Sequence, residues 1–216
     1  MTTTSLNSAA HACAERYLRA LAAAAIDKRV RVEFAERVLW LRIDRAGQHN
    51  ALALTMLDAL ATALQLAASE LAAAPDTDWL RLAVITGTGT ESFAAGGDLK
   101  ELDQVRSESQ TRAMTLRGMA ALNAVRDFPQ PVLAGLNGSA RGGGAELATA
   151  CDLRIAHPEA SIGFIQANLN LSSAWGGGTD LMQRLGPARA LRVLAEAELM
   201  AAEEARAEID SRQTDT

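Results

Sequence analysis

Apolar positions change their period several times along this chain, and each change predicts an element. An Ala-rich stretch up to about residue 28 has the composition of a helix behind a frayed start. From Val30 the spacing becomes two. Val30, Val32 and Phe34 alternate with Arg31 and Glu33, and Val38, Trp40 and Ile43 follow Glu36-Arg37. Two short strands joined by a tight turn fit that pattern. Leu54, Leu57, Leu60, Leu64 and Leu71 then recur at helical spacing, which predicts an amphipathic helix over 50–71 ended by Pro75-Asp76. Leu80 to Thr86 reads as a buried strand, 87–97 as a glycine-bearing loop, and 102–128 as mainly helical, with Leu116, Met119, Leu122 and Val125 on one side. Further strands are predicted at Val132–Leu136, Leu153–Ala156 and Ile162–Phe164. Helices are predicted from about Ala145 and over Leu181–Leu194, the latter broken at Gly186-Pro187. Alternating strands and helices predict an α/β fold with parallel strands.

Composition narrows the functional classes. The chain has 216 residues, enough for one domain with a sizeable core. It is 49% hydrophobic but only 4% aromatic, so that core must be aliphatic. A net charge of −5 without a basic stripe argues against sequence-unspecific nucleic-acid binding, which needs clustered Lys and Arg. Cys13 and Cys151 form neither a disulfide framework nor a metal motif. The apolar run Leu21–Ile26 is far too short to span a bilayer, and no secretory signal is evident, so a cytoplasmic protein is expected.

Two glycine-rich loops follow two buried strands: FAAGGDLK from Phe93 to Lys100, and NGSARGGGAEL from Asn137 to Leu147. Strand-to-helix junctions are where open α/β sheets bind ligands. Glycine lets backbone N–H groups approach a ligand, and two converging N–H groups make an oxyanion hole. Taken singly, each loop reads more often as a tight turn or a close helix contact than as a catalytic element. Neither is a dinucleotide fingerprint or a P-loop, and no G-x-S-x-G elbow is present. The three histidines, His11, His49 and His157, fall in unrelated places, and Asp152 reads as fixing a strand start.

Several ordered motifs together resemble the crotonase-like (enoyl-CoA hydratase/isomerase) superfamily. FAAGGDLKEL (93–102) is similar to its first oxyanion and CoA-binding loop. PVLAGLNGSARGGGAELATACDLRI (131–155) is similar to its most diagnostic stretch, and LRIDRAGQHNAL (41–52) to its R-P-x-x-x-N-A-L segment, with Ala46 at the usual proline. The resemblance implies a ββα superhelix (spiral) fold with its C-terminal helical part truncated. It implies an acyl-CoA-binding domain (29–205), and the residues on either side read as an N-terminal helical extension (1–28) and a polar tail (206–216). It also implies an enzyme acting on an acyl-CoA thioester through an enolate. No metal and no cofactor is expected beyond the CoA carried by the substrate. A homo-oligomer, a trimer or hexamer in the family, is expected, and no nucleic-acid or membrane partner.

Residue by residue, the resemblance assigns oxyanion N–H groups to Gly97 and Gly143 and acid/base work to Glu146. It places Ala95, Asp98, Leu99 and Lys100 along the CoA path. The family's hydratases carry a second glutamate 20 residues after the first, and Gln166 stands there. Glutamine can orient a water or substrate group but cannot act as acid or base. SSAWGGGT (172–179) resembles the S-W-G-G segment of ethylmalonyl-CoA decarboxylases, where Trp175 either packs or walls the acyl pocket. Three readings follow: a decarboxylase of a short 2-carboxyacyl-CoA, a hydratase/isomerase, or a catalytically weak homologue serving as a binding or assembly subunit.

Overall fold

The computed structural model describes residues 8–209. Strands β1 (Val30–Ala35) and β2 (Val38–Ile43) form an antiparallel hairpin in which Ala35 faces Val38. Glu36 and Arg37 both take positive φ, 53° and 65°, as a two-residue turn matched to strand twist requires. Strands β3 (Leu82–Gly87), β5 (Val132–Leu136) and β7 (Leu153–Ala156) extend this sheet in parallel, in the order β1-β2-β3-β5-β7. A second sheet has the order β4-β6-β8-β9, from β4 (Ser92–Ala94), β6 (Ser139–Arg141), β8 (Ser161–Gly163) and β9 (Met200–Ala201). Its first three strands are parallel and β9 runs antiparallel to β8.

The two sheets advance together. After β3 come β4 and the helices α3 (Leu99–Leu102) and α4 (Glu108–Arg126). After β5 come β6 and α5 (Gly143–Ala150), and after β7 come β8 and α6 (Gly177–Leu185). Each ββα turn therefore adds one strand to each sheet, and the chain winds as a spiral. The helices α1 (Ser8–Ala24), α2 (Leu54–Ala73), α7 (Pro187–Glu196) and α8 (Ala202–Ile209) complete the described residues. Of the expected polar tail, residues 210–216 lie outside them, as do residues 1–7 at the start. No helix among the described residues is long and apolar enough to cross a membrane.

A single aliphatic core runs through the molecule. Leu39, Leu41 and Ile43 of β2, Ile85 of β3, Val132 of β5 and Leu57, Leu60 and Leu64 of α2 are fully buried in it. Helix α1 joins the same core through Cys13, Ala14 and Tyr17, whose ring lies 5.7 Å from that of Trp79. Both cysteines are free, and burial pushes the Cys151 thiol up to about 12, which leaves it inert at neutral pH.

Four sequence expectations need correction. The helix expected from Asn50 begins at Leu54, because Asn50 sits at φ 55° with its side chain committed to backbone groups at Arg45, Thr88 and Ser92. The loop expected over 87–97 contains β4. The helix expected from Leu102 restarts at Glu108, where Ser107 and Gln110 form a capping box. Finally, Leu122 and Val125 are buried while Leu116 and Met119 are exposed. A spacing of three loses about 60° per step at 3.6 residues per turn, so Leu116 and Val125 end on opposite sides of α4.

Candidate functional site

The two glycine loops meet where the ββα turns that begin with β3 and β5 abut. The first is fixed from below. Leu52 N donates to Gly96 O (2.8 Å) and Asp98 N to Leu52 O (3.0 Å), while Ala95 N donates to His49 O. Asp98 is buried, pairs with Arg45 at 2.6 Å and accepts from Lys100 N to cap α3. Burial works most strongly against its ionisation, yet the Arg45 guanidinium and the Lys100 and Glu101 N–H groups together hold its carboxyl below the usual range. The second loop is fixed by packing. A Cβ at Gly144 would lie 2.1 Å from Ala94 O, so α5 approaches β4 as only glycine allows.

This brings the backbones of the loops into contact: a Cβ at Gly96 would lie 3.4 Å from Gly143 N. Among the described residues neither Gly97 N nor Gly143 N has a hydrogen-bond partner. Gly143 opens α5, so its N–H also carries the positive end of the helix dipole.

Glu146 stands one turn further along α5 and is 2% exposed. Its Oε2 accepts from Ser173 Oγ (2.8 Å), Trp175 N (2.9 Å) and Gly177 N (2.9 Å), and its Oε1 accepts from Gln166 Nε2 (2.9 Å). A carboxylate offers about four acceptor positions over two oxygens, so Oε2 is saturated and Oε1 retains one open position. Gln166 Oε1 is buried without a partner among the described residues. The carboxyl oxygen with spare capacity and the orphaned amide oxygen thus lie on one pair of side chains.

The chain from Ser173 to Asp180 is held from both sides. Glu146 takes the Trp175 and Gly177 N–H groups, while Arg126 of α4 donates to Trp175 O (3.3 Å) and pairs with Asp180 at 2.7 Å. Trp175 itself is buried, with its indole against Gly97, Gly118 and Gly143.

Gly97, Gly143, Glu146, Gln166 and Trp175 are therefore assembled at one place, with Ala95 beside them in the first loop. Asp98 turns inward to Arg45, whereas Leu99 (61% exposed) and Lys100 lie on the surface at the rim of that loop. Asp152 accepts from Val132 N (2.7 Å) and joins the starts of β7 and β5, as its position suggested. Sequence reasoning missed Ser173, Arg126 and Gly118. Only Gly118 carried a signal: a lone glycine inside a helical pattern, which costs about 1 kcal/mol against alanine and so points to close packing.

Residues 33–208 match the family model described as enoyl-CoA hydratase/isomerase. A probable enoyl-CoA hydratase of Bacillus subtilis is 33% identical over 126 residues, 58% of this chain and 48% of the relative. A mitochondrial methylglutaconyl-CoA hydratase of Rattus norvegicus is 31% identical over 170 residues, 79% of this chain and 51% of the relative. The crystal structure of an enoyl-CoA hydratase from Bacillus anthracis superposes with a TM-score of 0.75 at 32% identity, covering 84% of this chain and 67% of that one. The chain spans about half the length of these curated relatives. The expected crotonase-like spiral agrees with this structural match.

Proposed function

Because this chain belongs to the enoyl-CoA hydratase/isomerase family, we propose that it holds an acyl-CoA thioester between its two glycine loops and stabilises the enolate formed there. The observation that carries this reading is the pair of N–H groups, Gly97 and Gly143, without a partner among the described residues, on abutting loops beside Glu146. Both donors aim at one thioester oxygen. Their hydrogen bonds strengthen as negative charge develops on it, which is how fixed donors lower a barrier. Glu146 Oε1, the carboxyl atom with an open position, moves a proton at the α-carbon.

Gln166 sharpens the reaction class. With glutamine there, the site has one proton-transferring carboxyl, and Gln166 orients it through the bond from Nε2. Decarboxylation of a short 2-carboxyacyl-CoA needs no more. The bond to the carboxylate breaks, its electron pair enters the enolate, carbon dioxide leaves, and Glu146, first protonated on Oε1 from water, delivers that proton to the α-carbon and is left as the carboxylate. Hydration or isomerisation asks the same carboxyl to serve two proton transfers.

The test is turnover of methylmalonyl-CoA and ethylmalonyl-CoA against crotonyl-CoA, in the native chain and in Glu146→Gln. Decarboxylation lost in Glu146→Gln, with binding of a non-reactive thioester analogue retained, supports the proposal. Undiminished turnover in that variant removes Glu146 from the chemistry. Binding of the analogue without turnover of any of the three thioesters leaves a binding or assembly subunit.

A further inference from the structure

Three glycines from three separate elements surround one side chain. A Cβ at Gly143 of α5 would lie 2.3 Å from Cζ3 of Trp175. One at Gly118 of α4 would lie 2.2 Å from Cδ1, and one at Gly97 of the first loop 3.6 Å from Cζ2. No alanine fits at the first two positions with the indole in place, so the ring occupies a socket cut to its shape. Its backbone has no slack either, since Glu146 holds the N–H and Arg126 the carbonyl.

The far edge of the six-membered ring, Cζ2, Cη2 and Cζ3, lies against both glycines proposed to bind the thioester oxygen. An oxygen within about 3 Å of both N–H groups puts the carbonyl carbon and α-carbon of the acyl group within a few more ångströms of the same glycines. That is the depth at which the indole edge already sits. We infer that Trp175 is the specificity-determining residue of this site: it floors the acyl pocket and restricts the substrate to short acyl groups. This inference rests on the acyl-CoA reading above. A chain longer than the floor allows must displace the indole or bend around it, and a misfit of a single methylene in such a pocket costs about tenfold or more. Removing the indole opens the socket between α4 and α5 into which a longer chain extends.

The experiment measures dissociation constants by calorimetry for carba(dethia) analogues of acetyl-, butyryl- and octanoyl-CoA, ketones in which a methylene replaces the sulphur. The proteins are the native chain, Trp175→Ala and Trp175→Phe, each checked for folding by circular dichroism. The native chain is expected to bind the octanoyl analogue about tenfold or more weakly than the acetyl one. In Trp175→Ala the octanoyl-to-acetyl ratio is expected to move about tenfold or more in favour of octanoyl, with Trp175→Phe between the two. Should Trp175→Ala fail to fold, Trp175→Phe decides alone by the direction of its ratio. Short analogues bound by a native chain that shows no preference for length, or a ratio unmoved in the variants, overturns the role of Trp175 and leaves the acyl-CoA reading intact. Failure of every analogue to bind folded native protein overturns that reading and this inference with it.

Discussion

The segment up to Phe93 and the segment beyond α5 bury their large apolar side chains to different extents. Tyr17, Leu39, Leu41, Ile43, Met56, Leu57, Leu60, Leu64, Trp79 and Phe93 are all fully buried in the first. In the second, Leu153, Ile155, Leu171, Met182 and Leu191 are all more than two-fifths exposed, while Phe164 and Leu181 are fully buried. Helix α7 shows the contrast within one element: Ala190 and Val193 pack inward, while Leu191 is 67% exposed. Leu191 and Leu194 line a groove of about 390 Å³ with Leu171, Ser173 and Met182, on the outer side of the chain that carries Trp175. The lesson concerns where stability resides. The hairpin, α2 and β3 hold the frame through burial, whereas the 171–196 region adds polar ties through Glu146 and Arg126 to a smaller buried set, Trp175, Leu181, Ala190 and Val193.

The strongest test of that contrast is in α2. Leu57→Ala empties a site with no exposed surface, and unfolding free energy is expected to fall by about 2–5 kcal/mol in urea titration. A loss well under 1 kcal/mol would mean that the first segment is not the frame.

A smaller effect is expected at the junction of the two regions, in the Arg45–Asp98 pair. Asp98→Asn removes a charged acceptor from a partly buried guanidinium and should cost about 1–3 kcal/mol at neutral pH. The folded-state carboxyl of Asp98 is held below its unfolded value. Its contribution is therefore complete above the unfolded value, about 3.9, and disappears as pH falls through the lower folded one. Urea titrations across that range should show the native chain losing its advantage over Asp98→Asn only below about pH 4. An advantage that persists in acid, or none at neutral pH, would show that Asp98 does not pin the first glycine loop.

The same contrast explains what was legible in the sequence. Strands β3 and β5 are runs of apolar residues because each has parallel neighbours on both sides, and a run of that kind needs no partner to be read. Strands β4 and β6 are three residues each and lie inside glycine loops. What makes them strands is pairing with each other across the spiral, a contact between residues more than forty positions apart. The repeat of ββα turns leaves no residue pattern for the same reason, since it repeats pairing geometry, and only the family resemblance led to expecting it. At the site, Gly97, Gly143 and Glu146 stood out as motif residues, and the structure puts them together. Ser173 and Arg126 did not stand out, because a serine and an arginine in polar segments look alike whether they face water or tie down a loop.

The smallest expected effect is at Leu191, and it is the one that most cleanly separates the two regions. The side chain is two-thirds exposed, so replacing it with serine removes little buried area, and the weaker helix preference of serine adds a few tenths of a kcal/mol. Leu191→Ser is expected to change unfolding free energy by no more than about 0.5 kcal/mol, with the urea m-value unchanged. Equal losses in Leu191→Ser and Leu57→Ala would break the comparison outright. A loss above about 1 kcal/mol confined to Leu191→Ser would mean that the groove beside Trp175 closes over this leucine in solution. In that case the polar ties through Glu146 and Arg126 would no longer be the main hold on the loop that positions the indole.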